Sequence, residues 1–152
     1  MLKYTKKMTA IYAIVIFFVV IDRLLKVYVL ANSGRAWNLL GEILKFDFKA
    51  NYYIAFSLPL FGFWLNAVIA LIVLLLIYYL ARAWQGGRQS IAVCLFAIIM
   101  GAASNLFDRL KYGYVIDYLD LKYFTVFNLA DTMITISIVC LLFTLIKQNK
   151  YE

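Results

Sequence analysis

No charged residue occurs between Ala50 and Ala81, nor between Gln89 and Phe107. Two runs of that length limit this chain more than any other feature. A bilayer crossing takes about 20 mainly apolar residues. Inside hydrocarbon the backbone must satisfy its own hydrogen bonds, and a single segment does so only as an α-helix. The runs therefore predict membrane helices over about 60–81 and about 89–108. The link between them, "RAWQGGR" at residues 82–88, is short, glycine-broken and basic at both ends, which predicts a tight antiparallel hairpin.

Two further segments, about 9–30 and about 127–146, have the same length and apolar character. The first begins with the basic start and oily stretch of a secretory leader. Where a short polar region and cleavage site would follow, "IDRLLKVYVLA" instead continues the helical pattern, so a retained helix is expected. Between the first two helices, "EILKFDFKANYYIAF" alternates in the manner of short strands. The expected fold class is thus an all-α membrane protein, 1–152, with four transmembrane helices and a small extracytoplasmic β-rich lid over about 32–59. The lid aromatics Trp37, Tyr52, Tyr53 and Phe56 suit either a cover or an interfacial belt.

Composition removes several function classes. The chain is 66% hydrophobic and 15% charged, with no histidine. Its two cysteines, Cys94 and Cys140, sit inside apolar runs and read as small hydrophobes. A histidine-based triad and a usual His/Cys zinc site are therefore excluded, and no metal or cofactor is expected. The net charge of +7 comes from basic residues that flank the apolar runs, a placement suited to phospholipid headgroups and not to nucleic acid. Lys3, Lys6, Lys7, Arg82, Arg88, Lys147 and Lys150 crowd into tails and one hinge, which favours cytoplasmic termini.

With that orientation Asp22, Asp108, Asp117, Asp120 and Asp131 gather at the outer membrane face. A carboxylate at such depth must find partners or stay neutral, so it marks a functional-site hypothesis. Two carboxylates sharing a site cannot both ionise cheaply; one keeps a proton while the other acts as a base, the arrangement of an aspartic hydrolase. Each acid also has a plain structural reading. Asp22 and Lys26 are spaced for an intrahelical ion pair, Asn128 for a helix N-cap with Asp131 at N3, and Asp108 with Arg109 for a helix-end pair, while Asp117 or Asp120 suits a loop. Together, with Asn51, Asn105 and Asn128 nearby, the acids favour a functional cluster, but spacing alone does not select the reacting pair.

"ASNLFDRLKYGYVIDYLDL" and "FNLADTMI", with "DRLLK" in the first helix and "NYYIAFSL" before the second, resemble the lipoprotein signal peptidase (type II signal peptidase) family across all four segments in order. That resemblance implies a four-helix aspartic peptidase of the bacterial inner membrane. It would cut diacylglyceryl-modified prolipoproteins just before the lipidated cysteine, near the outer surface and within membrane phospholipid. It further implies a catalytic dyad of Asp117 and Asp131, a substrate site lined by Asn51, Asn105, Arg109 and Asn128, and an organising role for Asp22, Lys26 and Asp108. The family usually has glycine and a small residue where this chain has Tyr53 and Ile54, and glycine where it has Ser104. The bulk of Tyr53 is expected to reshape the lid. Two competing readings are a small membrane transporter and a noncatalytic lipoprotein-binding homologue. Transport predicts acids spread through the membrane depth, whereas here they collect at one edge.

Overall fold

The computed structural model describes residues 2–52 and 62–149. Its elements run α1 (Leu2–Ala31), β1 (Trp37–Leu40), β2 (Leu44–Asn51), α2 (Gly62–Gln85), α3 (Gln89–Tyr112), β3 (Val115–Leu121), β4 (Val126–Phe127) and α4 (Leu129–Asn149). The molecule is mostly helical, and α2, α3 and α4 are each long and apolar enough to cross a membrane. Half of the apolar stretch of α3 is buried within the protein, against 6% in α2 and in α4. α3 is accordingly the central post, touching all three other helices. The outward faces carry large apolar side chains such as Leu24, Leu74 and Phe143, a surface that water would not tolerate on this scale and lipid would.

α1 buries Val15, Asp22, Lys26 and Val29. Those intervals keep the four residues on one stripe of the helix, so its charged pair faces the protein and not the lipid. α3 and α4 approach closely at Gly101, where a Cβ would stand 2.8 Å from the carbonyl oxygen of Ala130 and 2.8 Å from Cγ1 of Ile134. Only glycine leaves room there. One turn further along α3 this contact brings Asn105 up to the start of α4.

α3 stops at Gly113, whose left-handed backbone (φ 83°) lets its N–H bond to the carbonyl of Arg109. The chain turns out of the helix axis and enters β3 two residues later. The four strands form one antiparallel sheet in the order β1-β2-β3-β4. In the central pair Lys49 lies opposite Asp117 and Lys45 opposite Asp120. Val29, Phe46, Ile116 and Tyr118 make the core between sheet and helices.

Several expectations change. Strands were expected only within about 32–59, yet half of the sheet comes from β3 and β4, so Asp117 and Asp120 are strand residues and not loop carboxylates. The "RAWQGGR" hinge is shorter than it looked: α2 continues through Gln85, and the reversal is made by Gly86 and by Gly87 at φ 67°. Trp37 packs its ring against Tyr28 and Phe46, as a cover residue does. Tyr53, Ile54 and Phe56 lie outside the described residues.

Candidate active site

Three structural ends meet at one level: the last turns of α1 and α3, and the first turn of α4. β3 crosses them. Each contributes polar side chains that the membrane would reject singly.

The deepest layer is an ion cluster between α1 and α3. Lys26 is fully buried and its ammonium donates to three acceptors, Asp22 Oδ2 at 3.1 Å, Asp108 Oδ2 at 2.8 Å and Asn105 Oδ1 at 2.8 Å. Those are all the donors a lysine has. Asp108 also takes Arg23 Nη1 at 2.6 Å on its other oxygen. Arg23, Lys26, Asp22 and Asp108 thus offset one another in charge, the condition for keeping ions out of water. The intrahelical Asp22–Lys26 pair expected from spacing is present, but it is one edge of a network joining two helices. Asp108 reaches across to Arg23 and Lys26 on the neighbouring helix.

Above that layer lie Asp117 and Asp131. Asp117, buried on β3, accepts Asn51 Nδ2 at 2.9 Å and Asn128 Nδ2 at 2.7 Å, one on each oxygen. Asp131 accepts Asn105 Nδ2 at 2.7 Å and the backbone N–H of Asn128 at 3.2 Å. Asn128 therefore touches both acids. It is also the N-cap of α4, since its Oδ1 accepts the N–H of Asp131 at 2.9 Å. The reciprocal bonds make a capping box with aspartate in place of glutamate. The plain reading of Asn128 and Asp131 as helix-start residues holds, and the same cap fixes where Asp131 points.

Burial, and after it the negative charge of Asp131, push the Asp117 carboxyl up to about 7, against the hydrogen bonds from Asn51 and Asn128 and the ammonium of Lys26. A group balanced there exchanges a proton near neutral pH. Arg109, half-buried on the last turn of α3, lies within the electrostatic reach of Asp131, Asp117 and Asp108. Asp120 is elsewhere, on a shallow charged surface with Glu42, Lys45 and Lys122. An apolar groove of about 230 Å³ runs between α1, α3 and α4 beside this site, lined in part by Phe18, Leu129, Met133 and Ile136. Among the described residues no group of three or more His, Cys, Asp or Glu is placed to hold a metal ion.

Three side chains in the cluster were not anticipated: Arg23, Ser104 and Tyr118. Arg23 carried a signal, a second cation on a helix that needs to be apolar. The hydroxyls of Ser104, which donates to Asp22 Oδ2 at 2.7 Å, and of Tyr118, which donates to Asp22 Oδ1 at 3.0 Å, carried none that spacing reveals.

A buried acid pair at one end of a helical membrane bundle, roofed by a small sheet, defines a class of membrane enzyme. The same fold occurs in two solved bacterial membrane enzymes. One matches with a TM-score of 0.79 at 23% identity, over 95% of this chain and 92% of that one. The other matches with a TM-score of 0.73 at 23% identity, over 91% and 94%. The sequence profile of the family described as signal peptidase (SPase) II matches residues 14–147, and the chain belongs to that family. Relatives named lipoprotein signal peptidase include one from Halothermothrix orenii, 31% identical over 144 residues, which are 92% of this chain and 97% of the relative. Another, from Streptococcus agalactiae serotype Ia, is 32% identical over 141 residues, 90% and 91% of the two chains.

Proposed function

We propose that this protein is an aspartic endopeptidase of the bacterial cell membrane that removes the signal peptide from diacylglyceryl-modified prolipoproteins, cutting before the lipidated cysteine, with Asp117 and Asp131 as its catalytic dyad. Its whole length acts as one integral-membrane domain, with α1 as a fourth span beside α2, α3 and α4. The termini face the cytoplasm, and the sheet and the dyad face outward among the phospholipid headgroups. The observation that carries the dyad is the position of Asn128, whose side-chain amide holds Asp117 while its backbone N–H holds Asp131.

Between them the two carboxyls share one proton. Water attacks the scissile carbonyl carbon as the ionised carboxylate takes one of its protons. The protonated carboxyl of the pair hydrogen-bonds the carbonyl oxygen and transfers its proton as the tetrahedral diol forms. Collapse of the diol breaks the C–N bond: the proton collected by the base passes to the departing amine, and a diol hydroxyl returns its proton to the carboxylate that had acted as acid, which leaves the product carboxyl and restores the singly protonated pair. Asn51, Asn105 and Asn128 fix the carboxyl planes, and Arg109 offers its guanidinium to substrate carbonyls or to lipid phosphate. Asp22, Lys26 and Asp108 hold α1 and α3 in register beneath them. The apolar groove beside α4 supplies a surface for the oily part of a precursor.

The test is cleavage of a lipidated prolipoprotein by purified protein. Asp117→Asn and Asp131→Asn keep the shape of the side chain and lose the proton exchange, so each should abolish turnover in a folded protein. Asp120→Asn should retain most of it. Near wild-type cleavage by either dyad variant removes that residue from the chemistry, and equal loss at Asp120 means that the wrong β3 carboxylate was chosen. Binding of precursor without cleavage by the unaltered protein would instead favour a noncatalytic homologue.

A further inference from the structure

The first N–H groups of a helix have no partner within the helix. In α4 two of them are met within the cap and two by other elements. The N–H of Asn128 bonds to Asp131 Oδ2 at 3.2 Å and that of Asp131 to Asn128 Oδ1 at 2.9 Å. The N–H of Leu129 bonds to the hydroxyl of Tyr118 at 3.0 Å, and that of Ala130 to Asp22 Oδ1 at 3.3 Å. Tyr118 in turn donates its proton to the same Asp22 Oδ1 at 3.0 Å. Its side chain is wholly buried, with the ring packed against Phe46 at 5.4 Å between centroids.

We infer that the Tyr118 hydroxyl is a positioning residue for Asp131: it ties the first turn of α4 to β3 and to Asp22, and thereby fixes Asp131 relative to Asp117. Three features carry this. Tyr118 follows Asp117 directly on β3, so the strand that holds one acid also holds the start of the helix bearing the other. Its hydroxyl works in both directions, accepting from Leu129 and donating to Asp22, a pattern that requires the neutral phenol. Burial, and next the charge of Asp22, raise the phenol well above its usual range and keep it in that form. A ring alone would fill the same space and leave the Leu129 amide without its acceptor.

Ser104 provides the control. It also donates to Asp22, at 2.7 Å, but on Oδ2, the oxygen that does not meet α4. If the tyrosine acted only by feeding a hydrogen bond to Asp22, removal of either hydroxyl would cost the same.

The inference rests on the proposed dyad, and the experiment separates the two. Steady-state cleavage of a lipidated prolipoprotein is measured for the wild type, Tyr118→Phe, Ser104→Ala and Asp131→Asn. Tyr118→Phe should lower kcat by about tenfold, as expected for a misplaced reacting group, with KM within about twofold. Ser104→Ala should lose clearly less. An inactive Asp131→Asn beside a Tyr118→Phe of wild-type kcat overturns the tyrosine role alone, as does equal loss in Tyr118→Phe and Ser104→Ala. An active Asp131→Asn overturns the dyad. A loss in KM or in folded yield alone, with kcat intact, would make the tyrosine merely structural. Should Tyr118→Phe fail to fold, amide-resolved hydrogen exchange on the wild type in detergent still decides: Leu129 and Ala130 should exchange as slowly as mid-helix amides, and rapid exchange at Leu129 refutes the tie.

Discussion

Asp117 is a carboxyl held against its ordinary preference, and the sign of the consequence can be worked out. Its carboxyl titrates near 3.8 when solvated and at about 7 in the fold, so between those values the folded state binds more protons than the unfolded one. Stability due to this group therefore falls as pH rises through that window and is lowest above about 7. Asp117→Asn cannot ionise and escapes the penalty. The melting temperature of the variant relative to the wild type should thus move upward between pH 5 and pH 8, in detergent at fixed ionic strength. A constant difference would mean that Asp117 is not raised. The same titration should end activity on the alkaline side, with turnover of wild-type protein declining above about 7 as the dyad loses its shared proton. With Asp117 in the proposed dyad, the amide variant would gain stability where it loses turnover, a common trade between activity and stability.

At the scale of elements, the parts legible in the sequence were those whose signal is local. Charge-free stretches mark α2 and α3 because hydrocarbon excludes charge residue by residue. β3 was not legible. In "VIDYLDL" the acids fall three apart, which breaks the alternation of a strand, and its partner β2 lies more than sixty residues earlier. The pairing is settled by Gly113, which turns the chain at the end of α3, and by the core under Ile116 and Tyr118. Asn105, Asn128 and Asp131 were each visible, but their mutual contact depends on how closely α3 and α4 approach, and that is set at Gly101. Gly101→Ala places a methyl 2.8 Å from both the Ala130 carbonyl and Ile134. Such overpacking costs about 1–3 kcal/mol, and the backbone carbonyl cannot yield without moving the turn that carries Asp131. We expect a lower melting temperature and a kcat reduced by about tenfold. Adding Ile134→Ala frees only the side-chain half of the clash, so it should recover stability but not turnover. Recovery of both would show that α4 tolerates the shift and that the approach at Gly101 does not aim Asp131.

For the whole molecule, one asymmetry organises everything: the charged network, the acid pair and the sheet lie at the end of the bundle where α1 finishes and α4 begins, while α2 and α4 present apolar faces along their length. The sequence supports an outward placing of that end by the density of lysines and arginines at the other. The proposed function needs the acids on the side where a translocated precursor is met, so a test of topology is also a test of that proposal. The tip of the β3–β4 turn offers a probe, since Tyr123 is 95% exposed there. Lys147, exposed in the last turn of α4, marks the opposite end. With Cys94 and Cys140 replaced by alanine, Tyr123→Cys should react in intact cells with a maleimide that does not cross membranes. Lys147→Cys and Lys3→Cys should react only after permeabilisation. Labelling of Lys147→Cys from outside would invert the bundle and place the dyad beyond reach of a translocated precursor. Labelling of Lys3→Cys alone would mean that α1 does not cross; Asp22 and Lys26 would then enter the network from a helix lying against the bundle, and three spans, not four, would carry the site.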